Sequence, residues 1–66
     1  MNKVYIGKNI KQIRKSYNLS QYEFGKILGF SARTVSDWEC GNTEPDLTTI
    51  KNITKQFKVS YEEIFD

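Results

Sequence analysis

An all-α fold, a compact domain of five short helices, is predicted by three features of the sequence. Apolar residues recur every three or four positions along most of the chain, which gives a helix one apolar face. Serine or aspartate stands just before several of these segments, where such side chains cap helices. No stretch alternates apolar and polar residues over a strand's length, so strands are not expected. A chain of 66 residues is long enough for one domain, residues 1–66.

Apolar stripes and caps predict the first, fourth and fifth helices. Helix 1 is expected over about 6–17, and residues 1–4 before it are expected to form a flexible arm. Helix 4 begins after Asp46, and the capping box of Ser60 and Glu63 opens a short helix 5. The apolar stripes are Ile6, Ile10, Ile13 and Tyr17 in helix 1, and Leu47, Ile50, Ile53 and Phe57 in helix 4.

Residues 21–40 are predicted to form a helix-turn-helix, with helix 2 over about 21–28 and helix 3 over about 32–40. A short turn that contains Gly29 separates the two helices. Each helix follows a serine suited to cap it, and the first serine also forms a capping box with a glutamate. These residues are Ser20 with Glu23 before helix 2, and Ser31 before helix 3.

Glycines and apolar side chains indicate how the two helices pack. Gly25 lowers helix propensity, so its position in mid-helix indicates that helices 2 and 3 approach closely there. Gly41 is expected to end helix 3. A helical hairpin that binds nothing would carry the same pattern. The side chains expected to face inward are Phe24, Ile27 and Leu28 in helix 2, Phe30 in the turn, and Val35 and Trp38 in helix 3.

The composition excludes several kinds of site. The chain has no histidine and one cysteine, whereas a zinc site needs several Cys or His ligands and a Ser-His-Asp or Cys-His arrangement needs a histidine. One cysteine cannot form an internal disulfide, which favours a reducing cytoplasm. No apolar run approaches the roughly 20 residues of a membrane-spanning helix. We therefore expect a cytoplasmic binding protein without metal, cofactor or enzymatic activity.

Charge is distributed unevenly along the chain. The first 33 residues hold seven basic side chains and one acidic side chain, and the last 33 hold three basic and seven acidic ones. This polarity is typical of a protein with one face that meets a polyanion. Two solvated faces of a small helical protein would explain the charges equally well.

The segment from Ile6 to Phe65 resembles the Cro/phage-repressor type of helix-turn-helix domain, the lambda-repressor-like or XRE family. The resemblance implies a five-helix domain whose third helix enters the DNA major groove, and a two-fold dimer on paired half-sites. The matching residues are Ile10, Ile13-Arg14, Leu19-Ser20-Gln21, Phe24, Leu28-Gly29-Phe30-Ser31, Thr34-Val35-Ser36, Trp38-Glu39-Cys40-Gly41, Pro45, Leu47, Ile50, Phe57, Val59-Ser60 and Ile64-Phe65.

The resemblance assigns DNA contacts to the helix-turn-helix. Gln21 matches a glutamine that bonds a phosphate and braces the recognition helix. Arg33 is expected to read a base edge, because a guanidinium can bond guanine O6 and N7 together; contact with phosphate alone, or none, is the alternative. Asp37 can accept from cytosine N4 or orient a neighbour. The expected DNA-facing positions of helix 3 are Ser31, Ala32, Arg33, Ser36 and Asp37.

Further positions follow from the same resemblance. Backbone N–H groups of the segment 40–43 are expected to donate to phosphate, with Cys40, Asn42 and Thr43 in contact with DNA, and Tyr22 is expected to reach a phosphate. Relatives usually carry Lys or Arg in the loop after helix 3, whereas this chain has Glu44 and Asp46, which predicts modest affinity.

Two structural relationships complete the expectations. Arg14 and Glu39 match a buried ion pair that ties helix 1 to the end of helix 3. A weak homodimer is expected through Phe57, Tyr61 and Phe65, where apolar groups collect near the end of the chain.

The leading hypothesis is a sequence-specific regulator of transcription, a repressor, that binds double-stranded DNA at a two-fold symmetric operator. Regulation would come from concentration, competition at the operator or an unidentified protein partner. The alternative is an antitoxin-like subunit that binds a protein and binds DNA secondarily. An enzyme is not expected, because no catalytic constellation is present in the sequence.

Overall fold

The computed structural model describes residues 3–66, with side chains described from Ile6 onward. The chain forms five helices: α1 (Lys3–Ser16), α2 (Gln21–Leu28), α3 (Ala32–Cys40), α4 (Leu47–Phe57) and α5 (Tyr61–Phe65). The predicted all-α fold is confirmed, and α2 and α3 have the predicted bounds. Helix α1 takes in residues 3 and 4 of the expected arm, and residues 1 and 2 of that arm lie outside the described residues. Across residues 3–66, no helix combines the length and the apolar character needed to cross a bilayer.

Local capping explains where four of the helices begin. The side-chain oxygen of the residue before each helix accepts a hydrogen bond from the backbone N–H three positions later, and two of the caps are complete capping boxes. All four had been predicted, because a cap needs only residues that are close in sequence. The capping residues are Ser20, Ser31, Asp46 and Ser60, with Glu23 and Glu63 completing the boxes.

One apolar core holds the helices together. Phe24 of α2 stacks on Phe57 of α4 with ring centroids 4.7 Å apart. Trp38 of α3 lies edge-on to Phe30 of the turn at 5.0 Å. The buried core consists of Ile10, Ile13, Phe24, Val35, Trp38, Ile50, Ile53, Phe57 and Ile64.

Four apolar residues predicted to lie on the inward side of the fold are exposed instead: Tyr17, Ile27, Phe30 and Leu47. Ile27 lies at the edge of the buried face of α2, because Gly25 rather than Ile27 completes that face. Leu47 is 76% exposed, because the buried face of α4 is centred on Ile50 and Ile53, about a quarter turn away around the helix. A residue that is apolar and correctly spaced is therefore not always buried, and the predicted stripes included residues that lie outside the core.

Close helix packing at Gly25 is confirmed. A Cβ on Gly25 would lie 2.5 Å from the carbonyl oxygen of Phe30 and 3.1 Å from Cγ2 of Val35, so a side chain would push α2 away from α3. Gly7, which the sequence did not single out, does the same for α1, where a Cβ would collide with the backbone carbonyl of Trp38. These two glycines let α1 and α2 pack closely on α3.

Candidate nucleic-acid interface

Helix α3 presents a polar face to solvent on the side opposite the core. Arg33, Ser36, Asp37 and Cys40 follow helical spacing and so share one face. Arg33 and Cys40 are exposed, and Ser36 and Asp37 are half-buried. Val35 and Trp38 anchor the opposite face in the core. The side chains expected to face DNA therefore point away from the protein together.

The first turn of α3 combines small side chains with the positive end of the helix dipole. The Oγ of Ser31 accepts the backbone N–H of Thr34 at 3.1 Å and lies 3.1 Å from its Oγ1. Ala32 follows and is half-buried. The N-terminus of a helix favours negative charge, and small side chains let a polyanion approach it closely.

Arg33 carries the only basic side chain on this helix. Its side chain is 87% exposed, and its Nε lies 3.9 Å from Oδ2 of Asp37. The guanidinium is therefore largely solvated. An exposed pair of this kind contributes little to stability. Arg33 can therefore reach outward and donate two parallel hydrogen bonds to one acceptor edge.

The ion pair expected between Arg14 and Glu39 is present and bidentate. Nε of Arg14 donates to Oε2 of Glu39 at 2.6 Å, and Nη2 donates to Oε1 at 3.1 Å. Nη1 donates to the carbonyl of Leu19 at 2.8 Å. Both side chains are nearly buried, so Arg14 is committed to the protein and belongs to the frame that holds α3.

Gln21 joins the same frame. Its Nε2 donates to Oε1 of Glu39 at 3.0 Å, which links the start of α2 to the end of α3. One amide N–H makes this bond, and the amide carries a second N–H that can donate to a phosphate. Tyr22 beside it is exposed, and the Nζ of Lys26 lies 5.9 Å from its ring centroid.

The segment 40–43 differs from the sequence expectation. The backbone N–H of Gly41 donates to Trp38 at 3.2 Å, and those of Asn42 and Thr43 donate to Asp37 at 2.9 and 3.3 Å. Gly41 has a φ of 82° and ends α3 in the left-handed conformation that directs N–H groups back to the helix carbonyls. The prediction that these N–H groups donate to phosphate is therefore wrong. The exposed side chains of Cys40, Asn42 and Thr43 still face solvent.

The loop after this segment is acidic. Glu44 and Asp46 are both exposed. Hydrogen bonds from the side chain and backbone N–H of Thr49 hold the pKa of Asp46 below its ordinary value, so its carboxylate stays ionised. Negative charge here disfavours phosphate, which leaves the start of α2 and the exposed face of α3 as the part best suited to a polyanion.

A separate apolar surface lies where α4 and α5 begin. Leu47 and Tyr61 are exposed there, and a groove of about 350 Å³ runs between Leu47, Thr48, Lys51 and Tyr61. Phe65, four positions after Tyr61 at the end of α5, is exposed as well. Phe57, expected in a dimer interface, is 4% exposed and packs in the core against Phe24. That assignment is corrected: Phe57 is a core residue and offers no surface to a partner.

Gln21 was expected to brace α3, but the sequence indicated neither its partner Glu39 nor the bond between Asn42 and Asp37. The bond between Gln21 and Glu39 joins residues 18 positions apart, and no local pattern signals it. Asn42 Nδ2 donates to Oδ1 of Asp37 at 3.4 Å, which ties the loop to the exposed face of α3. The pairing of Arg33 with Asp37 had a signal in the sequence, because opposite charges four positions apart meet on a helix.

Comparisons with known proteins agree on the family. The helix-turn-helix family model HTH_3 matches residues 10–64. Antitoxin PezA of Streptococcus pneumoniae is 42% identical over 59 residues, which is 89% of this chain and 37% of that protein. Repressor protein C2 of Salmonella phage P22 is 32% identical over 60 residues, which is 91% of this chain and 28% of that protein. The chain thus spans about a third of the length of these curated relatives.

A solved structure gives the same result. The P22 c2 repressor, crystallised in complex with a synthetic operator, superposes with a TM-score of 0.81 and 29% identity over 89% of both chains. The family match covers most of the described residues, and the structural match covers all but a small part of the fold. The chain belongs to the Cro/phage-repressor type of helix-turn-helix family.

Proposed function

We propose that this chain binds double-stranded DNA in a sequence-specific manner and regulates transcription as a repressor, with α3 in the major groove. The observation that carries the proposal is the exposed face of α3. Arg33 projects from a helix that Glu39 ties to both Arg14 and Gln21. The similarity to a repressor crystallised on its operator supports the same function.

Each element of the interface has a distinct role in this proposal. Arg33 bonds a base edge, and the small side chains of Ser31, Ala32 and Ser36 let α3 enter the groove. Gln21 donates to a phosphate with its second N–H while its first N–H holds α3. The remaining phosphate contacts come from side chains, because the backbone N–H groups of the loop are bonded to α3. Those side chains are Tyr22, Cys40, Asn42 and Thr43.

A weak two-fold dimer on paired half-sites is part of the proposal. The exposed apolar side chains Leu47, Tyr61 and Phe65 supply its contact surface. A stable interface uses about 20 to 30 residues on each partner, far more than this surface provides. We therefore expect that binding to adjacent half-sites about one helical turn apart completes the dimer.

Binding alone accounts for this function. We propose a cytoplasmic regulator that needs no metal or cofactor and performs no catalysis. Occupation of an operator by α3 would block other proteins from the same DNA, and the level of the chain or a protein partner would set its occupancy.

Protein binding is the second candidate, and the similarity to antitoxin PezA favours it. In that case the exposed residues of α2, including Tyr22 and Ile27, would contact a protein, and DNA binding would be secondary. The two candidates differ in salt dependence. Binding to phosphate releases counterions and weakens steeply with salt, whereas an apolar protein contact does not.

Selection from a random duplex pool tests the proposal directly. The wild type, Gln21→Ala and Arg33→Ala are selected in parallel, and their affinities are measured at about 50 and 200 mM salt. We expect a two-fold symmetric motif from the wild type. Arg33→Ala should lose preference at one base pair of each half-site, with a discrimination loss of roughly 5- to 150-fold. Gln21→Ala should weaken binding to all sequences alike.

Lys58→Ala serves as the matched control for a lost cation. Lys58 is exposed at the C-terminal end of α4 and is not part of the proposed DNA interface. Absence of any enriched motif at low salt, or affinity that stays level between the two salt concentrations, would refute DNA binding and favour the protein-binding candidate. Equal losses of Arg33→Ala on selected and random DNA would reduce Arg33 to a phosphate contact.

A further inference from the structure

Asp37 lies on the exposed face of α3 at a position where a carboxylate is locally unfavourable. It occupies the last turn of the helix, and the carbonyl end of a helix disfavours negative charge. In its pair with Arg33 the cation is N-terminal to the anion, which is the less favourable order on a helix. DNA phosphates would repel the carboxylate as well. Helix stability therefore does not explain a carboxylate here.

The contacts of this carboxylate point to a different role. Oδ2 lies 3.9 Å from Nε of Arg33, and Oδ1 accepts from Nδ2 of Asn42 at 3.4 Å. Asp37 is therefore held from the loop on one side and faces the guanidinium on the other. At 3.9 Å the carboxylate makes no hydrogen bond to Nε, and its charge attracts the Nε side of the guanidinium. Both Nη nitrogens are then left for two parallel hydrogen bonds to a base edge.

We propose that Asp37 is a positioning residue for specificity: it orients the guanidinium of Arg33 toward a base edge and contacts no base itself. The inference rests on the proposed function, because it concerns how α3 distinguishes one sequence from another. Asp37 raises discrimination and lowers affinity for DNA in general, since its charge repels the phosphates of every sequence equally.

Asp37→Asn tests this role, because it keeps the shape of the side chain and removes its charge. The wild type, Asp37→Asn, Arg33→Ala and the double variant are measured on the selected operator and on operators changed at one base pair at a time. Asp37→Asn should bind random duplex about twofold more tightly and lose about fivefold of the discrimination at the base pair that Arg33→Ala affects. The double variant should lose no more than Arg33→Ala alone. Asp37→Glu, which restores the charge, should regain part of the loss.

Several results would overturn the inference. Lost discrimination at a different base pair would show that Asp37 reads a base directly, and unchanged discrimination would show that it does not position Arg33. Lost discrimination at every position together with a lower Tm would assign Asp37 a structural role; we expect no fall in Tm, because the variant removes an unfavourable charge from the last turn. A wild type that selects no motif would instead refute the proposed function itself.

Discussion

Glu39 is the residue on which three elements of the interface meet. Its carboxylate accepts two bonds from Arg14 of α1 and one from Gln21 of α2, and it belongs to α3. Its side chain is 4% exposed, so its negative charge is stabilised by these partners rather than by water. A buried pair contributes little net stability, but loss of one partner leaves an uncompensated charge. Its role here is to orient α3.

Glu39→Ala should therefore lower the free energy of unfolding by about 3–5 kcal/mol, because the charge of Arg14 stays buried without a carboxylate to compensate it. Urea denaturation followed by circular dichroism measures this change. Glu44→Ala, which removes an exposed carboxylate, is the control and should change stability by less than about 0.5 kcal/mol. Replacing both Arg14 and Glu39 by apolar residues should cost less than Glu39→Ala alone; an equal or larger cost would contradict the buried-charge explanation.

At this scale the sequence predicted some contacts and missed others for identifiable reasons. Arg14 and Glu39 were paired only through the family resemblance, because 25 positions separate them. The bond of Gln21 to Glu39 depends on how α2 crosses α3 and has no local signal. The bond of the Asn42 N–H to α3 follows from the left-handed conformation of Gly41, which turns the next N–H groups back to the helix carbonyls.

The ends of α4 show how local rules define an element. Asp46 caps its start, and Lys58 ends it with a φ of 54°. A side chain in this left-handed region costs free energy that glycine avoids. Caps were predictable because their partners lie three or four residues away. The exposure of Leu47 was not, because the direction of the buried face is set by the other helices.

The Asp46 cap should make the stability of α4 depend on pH. The pKa of Asp46 is lowered from its ordinary value of 3.8 in the folded chain, mainly by the side chain and then by the backbone N–H of Thr49. Its contribution is thus present above the unfolded pKa and is lost as the pH falls through the folded pKa. The Tm of Asp46→Ala should lie below that of the wild type at pH 6, and the difference should narrow below about pH 4.

Thermal unfolding from pH 2.5 to pH 7 measures this difference, where both chains remain folded. Asp46→Asn is the matched control, because asparagine also caps helices but does not ionise. A difference between Asp46→Ala and the wild type that is constant over this range would mean that the carboxylate contributes no more as an anion than as an acid.

Lys58→Gly should stabilise the domain by about 0.5–1 kcal/mol, because glycine adopts the left-handed conformation at the end of α4 without strain. Urea denaturation compares the variant with the wild type. Lys55→Gly removes the same charge from within α4 and should destabilise by about 1 kcal/mol. Destabilisation by both changes would show that the stem of Lys58 contributes more than its backbone strain costs.

Over the whole molecule, the elements separate into a polar face on α3 and an apolar surface at the start of α4 and α5. The fold class followed from periodicity and caps, because both are repeated along the chain. The assignment of surfaces was harder. Phe57 was predicted both in the apolar stripe of α4 and in a dimer interface. Only the first prediction is confirmed, because Phe24 and Tyr17 pack on its ring. An interface made only of exposed residues therefore rests on Leu47, Tyr61 and Phe65.

This surface should couple two chains on one operator. Leu47→Ser together with Tyr61→Ser removes the apolar side chains at the first positions of α4 and α5. Burial of an apolar side chain of this size in an interface contributes about 1.5–3 kcal/mol. The double variant should bind an operator with two half-sites at least about tenfold more weakly, and a single half-site with unchanged affinity. Ile27→Ser, which removes from α2 an apolar side chain about as exposed as that of Tyr61, should leave the coupling intact. Sedimentation of the wild type with the two operators provides the direct test, since one chain on the longer operator at high protein concentration would exclude the dimer.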